Sequence, residues 1–277
     1  MTALDDWRAQ LEAWRIPEPI LAGAPEPPWG FPTELFRSRA AEAAESGGAQ
    51  SPTTRMAAQA LPEGGSVLDV GCGGGATSLP LASRAGLLVG LDGQRDMLPG
   101  FLEAAELAGV AARAICAAWP AAEGEVEAAD VVVCGHVLYN VAEAGPFLRA
   151  LDRHARHRVV LELTAGHPLA WMNDLWERFH GLRRPQGPTA EDAVAAIREI
   201  GVAPSRQDRR ASEDRRAGGG FARREDAVAL IRRRLCLSAT RDAEVEAALG
   251  TRLREHGDRW SAGPQEREIV TVWWDPS

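Results

Sequence analysis

The chain has 277 residues and a mass of 29.7 kDa, 45% hydrophobic and 25% charged, a balance that suits one sizeable domain, or one domain with an appended lobe, and argues against a long disordered chain. All 31 basic residues are arginines, so Schiff-base lysine chemistry and a Walker A phosphate loop are excluded. The net charge of -8 divides into -10 over residues 1–150 and +2 over residues 151–277, without the basic stripe that a nucleic-acid surface requires.

Residues 2–15 predict an amphipathic helix, with Leu4, Trp7, Leu11 and Trp14 at helical spacing. A proline-rich stretch from Pro17 to Pro32 then breaks regular structure. Trp29 and Phe31 within it favour an ordered lid over a free linker, because a linker seldom carries aromatics. Helices are expected over 33–45 and 52–61, separated by Ser46, Gly47 and Gly48. From residue 66 the pattern alternates. Strands are expected at 66–70, 87–91, 111–116, 129–134 and 158–164, with helices near 76–85, 95–108 and 143–156. Such alternation predicts a parallel, doubly wound sheet. Beyond it, helices are expected at 168–181, 189–200, 223–235 and 241–257, a strand near 202–209, a polar loop at 211–220 and a closing strand at 268–274.

The sharpest feature is Asp69-Val70-Gly71-Cys72-Gly73-Gly74-Gly75. An acid stands at a strand end, two residues before a glycine loop whose backbone can turn sharply and bring its N–H groups against a ligand. The acid suits a ligand ammonium. A second acid, Asp92, ends the next predicted strand, 17 residues beyond Gly75, the distance expected for neighbouring strand ends.

On these residues the sequence resembles the class I S-adenosylmethionine-dependent methyltransferases of the small-molecule, methyltransferase-domain type. Asp69 to Gly75 matches their first motif. Gly90 to Leu98 resembles their second strand, whose terminal acid holds both ribose hydroxyls, and Val131 to Val141 resembles their fourth strand and the loop that faces the methyl donor. The resemblance implies an α/β fold: a Rossmann-like seven-stranded, mostly parallel sheet with the last strand antiparallel and helices on both faces. It implies S-adenosyl-L-methionine as cofactor, held by Asp69, Gly71, Cys72, Gly73, Gly75, Asp92, Gly93, Met97, Ala117, Ala118, Trp119 and Cys134. One motif departs. Ala117 stands where the family often has the acid that binds the adenine amino group, leaving adenine to backbone groups and to packing against Trp119.

Expected organisation is an N-terminal helical cap or lid at 1–62, a cofactor-binding core at 63–165, and helical substrate-side insertions with the final core strands at 166–277. In the loop after the fourth strand, His136 is the candidate base and Tyr139, the chain's sole tyrosine, a candidate acceptor contact. A plain structural role is the alternative for each. Trp29, Trp171 and Trp176 are candidate substrate contacts, with packing as the alternative. The expected reaction is methyl transfer to an O or N atom of a small molecule, with no metal. Two rivals stay open: a nicotinamide-dependent oxidoreductase, since Gly71, Gly73 and Ala76 also fit a dinucleotide fingerprint, and a non-catalytic module that only binds the donor. The four cysteines form no CxxC pair, no apolar run reaches membrane-spanning length, and the N-terminus lacks a signal peptide's apolar stretch. A cytoplasmic, bacterial protein with neither membrane nor nucleic-acid partner is expected.

Overall fold

The computed structural model describes residues 1–29, 51–212 and 220–276. The helix expected over 33–45, the break at 46–48, Phe31 and most of the 211–220 loop lie outside the described residues.

Seven strands build the main sheet: β1 (Gly65–Val70), β2 (Ala85–Asp92), β3 (Ala111–Cys116), β4 (Ala129–Gly135), β5 (Ala155–Thr164), β6 (Ser205–Ser212) and, after a separate hairpin of β7 (Leu253–His256) and β8 (Arg259–Ala262), β9 (Glu266–Trp274). Their order is β3-β2-β1-β4-β5-β9-β6. β1 to β5 pair in parallel, whereas β9 runs antiparallel to both β5 and β6. The order reverses direction between β1 and β4, the point where open sheets of this kind bind ligands beyond the strand ends.

Both faces of the sheet are covered, and strand alternation sorts the side chains between them. On one face, α3 (Pro52–Ala60) and α4 (Leu98–Leu107) bury Ala57, Leu61 and Phe101 against Val67, Leu88, Val131 and Val160. On the other, α5 (Ala144–His154) and α7 (Ala190–Glu199) pack Phe147, Leu148, Leu151, Val194 and Ile197 against Leu68, Val132, Leu161 and Val272. The N-terminal helix α1 (Ala3–Glu12) joins this second layer. It starts on a capping box between Thr2 and Asp5 and lies against α7 and α5. A short helix, α2 (Glu18–Ala22), follows it within the proline-rich stretch.

A further apolar cluster lies among α6 (Asn173–His180), α8 (Arg224–Arg234) and α9 (Asp242–Leu249), with Met172, Trp176, Ile231, Leu235 and Leu249 buried together with Ile16. The structure departs from the expected elements twice in ways that matter. The segment 241–257 is not one helix: α9 stops at Leu249, and Gly257, at φ +61°, makes the two-residue turn joining β7 to β8. The helix expected at 76–85 is reduced to one 3-10 turn, Leu79–Leu81, with β2 already begun at Ala85.

Candidate active site

β1 delivers Asp69 and β2 delivers Asp92 to the same end of the sheet. Asp69 pairs in register with Gly90, so the two acids stand on adjacent strands, two residues out of step. The loop between them is shaped by its glycines. Gly71 has φ +72°, and a Cβ there would meet Val137 Cγ2 at 2.2 Å, so only glycine lets the post-β4 loop close over the post-β1 loop. A Cβ on Gly135 would likewise meet Thr77 Oγ1 at 2.3 Å.

The two carboxylates are held differently. Asp69 is 1% exposed. Its Oδ2 accepts a 2.6 Å hydrogen bond from the Ser78 hydroxyl, while its Oδ1 is buried without a partner. Burial pushes its pKa up to about 7, against the Ser78 hydrogen bond and with a further rise from the charge of Asp92. A buried oxygen without a donor is costly, and a ligand ammonium would relieve it. Asp92 is half-buried and already aligned: Gly73 N–H donates to Oδ2 at 2.9 Å and Gln94 N–H to Oδ1 at 2.8 Å. Each oxygen keeps a second lone pair for a vicinal diol. The donor set therefore fits an amino-acid tail at Asp69 and a ribose at Asp92.

Gly93 and Ala118 are exposed and Ala117 is half-buried, its N–H donating to the Asp92 carbonyl. Cys72 and Met97 are buried beside the loop, and burial pushes the thiol of Cys72 well up. Cys134 is buried in the sheet core, its thiol also raised by burial, so it is packing at the strand end. Trp119 sets its ring edge-on to His154 at 4.9 Å and packs against the α5 layer, with Nε1 buried and unpartnered.

His136 follows β4 with φ +59°, an unusual backbone for a residue with a side chain. Its N–H donates to the Glu162 carbonyl, and its Nε2 lies 3.2 Å from Glu162 Oε1. Tyr139 is buried, its hydroxyl donates to the Thr164 carbonyl, and burial pushes its pKa up to about 12. Its ring stacks on Trp7 at 5.9 Å and meets His167 edge-on at 5.5 Å. The hydroxyl thus ties the loop after β4 to the end of β5, and the ring belongs to the core.

The three tryptophans expected at the substrate are scattered. Trp29 is 55% exposed. Trp176 is buried in the second cluster under the Arg184 guanidinium at 4.8 Å, which makes it a core residue. Trp171 lines a cavity of about 170 Å³ at the end of β5 with Thr164, His167 and Glu268. Among the described residues no cluster of three His, Cys, Asp or Glu side chains suits a metal.

Sequence reasoning missed Glu162, Thr53 and Arg209. Glu162 sits in β5 among Val159, Val160, Leu161 and Leu163. An acid inside an apolar parallel strand is the signal that marks it, since such a residue is buried only when paired.

Residues 67–158 match the family model of a methyltransferase domain. No curated protein matches the chain. Among solved structures, the chain is similar to the YcgJ protein of Bacillus subtilis, at 14% identity over 81% of this chain and 97% of that one with a TM-score of 0.50. A candidate methyltransferase of Bacillus halodurans matches at 13% identity over 81% and 97%, with a TM-score of 0.51. A cyclopropane-fatty-acyl-phospholipid synthase-like protein of Lactobacillus casei matches at 13% identity over 86% and 91%, with a TM-score of 0.50.

Proposed function

We propose that this chain, whose residues 67–158 match the model of a methyltransferase domain, is a class I S-adenosylmethionine-dependent methyltransferase that methylates an O or N atom of a small molecule. The observation that carries the reading is the pair of carboxylates at adjacent strand ends, one with a buried oxygen awaiting a donor and the other preset by two backbone amides. When bound, the cofactor supplies an electrophilic methyl group on a sulfonium. Asp69 holds its ammonium, Asp92 holds its ribose hydroxyls, and the loop 71–75 closes on it through backbone N–H groups. Positioning of donor and acceptor in line contributes much of the acceleration, and His136 takes the acceptor's proton where one must leave.

A small acceptor is favoured over nucleic acid because the half of the chain that holds the site is acidic. No helix among the described residues is long and apolar enough to cross a membrane. The four cysteines are free thiols, which favours a reducing, cytoplasmic setting. Nicotinamide chemistry is disfavoured because Asp69 has no partner to hold in a dinucleotide. Calorimetry tests the choice. S-adenosylhomocysteine is expected to bind and NADH not; the reverse result would discard the reading.

The Asp69 carboxyl gives a pH test. Its pKa in the free protein is about 7, and an ammonium binds the ionised form. Affinity for S-adenosylhomocysteine therefore falls as pH drops through 7, by about 25-fold between pH 7.5 and 5.5 when binding requires the ionised carboxylate. Methylthioadenosine lacks the amino-acid tail, so its affinity is expected to stay flat. Parallel pH curves for the two ligands would remove the ammonium from Asp69.

A further inference from the structure

In β5, Glu162 is paired in register with Gly135 and points to the same face of the sheet as Val160 and α3. Regular alternation would send the residue after β4, His136, to the opposite face. The left-handed backbone at His136 breaks the alternation and returns the imidazole to Glu162. Glu162 is itself fixed from three further elements. Thr53 of α3 donates its hydroxyl to Oε2 at 2.6 Å, Arg209 of β6 brings a guanidinium to 3.6 Å of the same oxygen, and Thr271 of β9 lies 2.8 Å from the Thr53 hydroxyl. Burial pushes the carboxyl up, but the hydrogen bond and charge of His136, with Thr53 and Arg209, outweigh it and hold the pKa at about 2. With Thr53 and Arg209 on Oε2 even when the ring is neutral, the carboxylate backs one ring nitrogen of a side chain that is itself 37% exposed.

We infer that Glu162 is a positioning residue for His136: it engages Nε2–H and leaves Nδ1 free to take a proton from a hydroxyl acceptor of phenolic acidity. The inference rests on the methyltransferase reading and names its acceptor class. A carboxylate acceptor is already ionised, and a neutral amine attacks through its own lone pair. An aliphatic hydroxyl is far too weak an acid for imidazole, whereas a phenol, with a pKa of about 10, is within its reach. In the step, the acceptor oxygen forms a bond to the methyl carbon as the carbon–sulfur bond breaks. The hydroxyl proton passes to Nδ1, the sulfonium becomes a neutral thioether, and the resulting imidazolium faces the Glu162 carboxylate. The protein then releases the proton to water.

Two measurements test this. First, the protein saturated with S-adenosylhomocysteine should show a slowly exchanging low-field ring N–H proton by NMR that is absent in His136→Gln and lost to exchange in Glu162→Gln. Persistence of that proton in Glu162→Gln overturns the inference. Second, methyl transfer from labelled S-adenosylmethionine is followed at pH 8 with phenol, which keeps its proton, and with 4-nitrophenol, which is already an anion. Glu162→Gln should lower kcat/KM for phenol at least tenfold and for 4-nitrophenol far less. Equal losses on both would make Glu162 a structural strut, and turnover of neither by the wild type would overturn the phenolic class. Should Glu162→Gln fail to fold, Thr53→Val loosens the same carboxylate and should give the same split on a smaller scale. Failure of the wild type to bind S-adenosylhomocysteine would instead count against the methyltransferase reading itself.

Discussion

Replacing Asp92 with alanine is expected to weaken S-adenosylhomocysteine binding by about 100-fold or more. The carboxylate at the end of β2 is the one acid of the site with lone pairs still open to a diol and with its orientation already fixed by Gly73 N–H and Gln94 N–H. Each charge-assisted hydrogen bond contributes about 1.5–3 kcal/mol, so losing two removes about 3 kcal/mol or more, a factor of about 100. The Gly73 amide would also lose the acceptor that holds the loop in its binding shape. Calorimetry with the variant reads the loss, and a thermal melt checks that the fold survives. An affinity within threefold of the wild type would mean that the sugar is held elsewhere.

The second large effect is on stability. Trp7 of α1 is fully buried, donates its Nε1–H to the Val141 carbonyl at 2.9 Å and stacks on Tyr139. Truncating a buried tryptophan to alanine costs about 3–5 kcal/mol, and here the Val141 carbonyl also loses its donor. Trp7→Ala is expected to lower Tm by roughly 10 °C and to make residues 1–29 a target for limited proteolysis. Trp14 helps to hold the same arm, stacked on His167 at 3.7 Å with its Nε1–H on the Gly187 carbonyl. The two indoles clamp the arm to the loops after β4 and β5, so the variant should also disturb whatever those loops bind. An unchanged melt would show that the arm docks without contributing to the fold.

What could be read from the sequence depended on how local the signal was. Asp69, the glycines and Asp92 lie within 24 residues of one another, and each owes its position to the end of a strand whose apolar run is plain. The strand at 129–134 and the closing strand were legible for the same reason. Glu162 was not, because its role depends on β4 pairing with β5 and on Thr53, 109 residues away in the chain. Tyr139 and Trp176 looked available for chemistry because sequence alone does not reveal a buried hydroxyl donated to a carbonyl or an indole enclosed by a second apolar cluster. The hairpin of β7 and β8 was hidden by helical periodicity running past Gly250, and Gly257 was the overlooked turn signal.

The segment after the glycine loop was misread for a geometric reason. From Gly75 the chain must return along β1 to begin β2 at Ala85, opposite Gly65. Ten residues of α-helix advance only about 15 Å, short of a strand of six residues, at about 3.3 Å each, plus the sideways step. Looser turns, with the single 3-10 turn at Leu79–Leu81, cover the distance.

That short return also sets the electric field of the crevice. In many Rossmann-like folds a long helix aims its positive macrodipole end at a ligand's diphosphate. Here no such helix follows the glycine loop, and two carboxylates stand where its positive end would have been felt. These carboxylates bias the ends of β1 and β2 toward cations and against polyphosphates. A sulfonium arriving by diffusion is attracted, and its neutral thioether product is not, so the shortened crossover favours exchange of spent donor for fresh and should make that exchange slow as ionic strength rises.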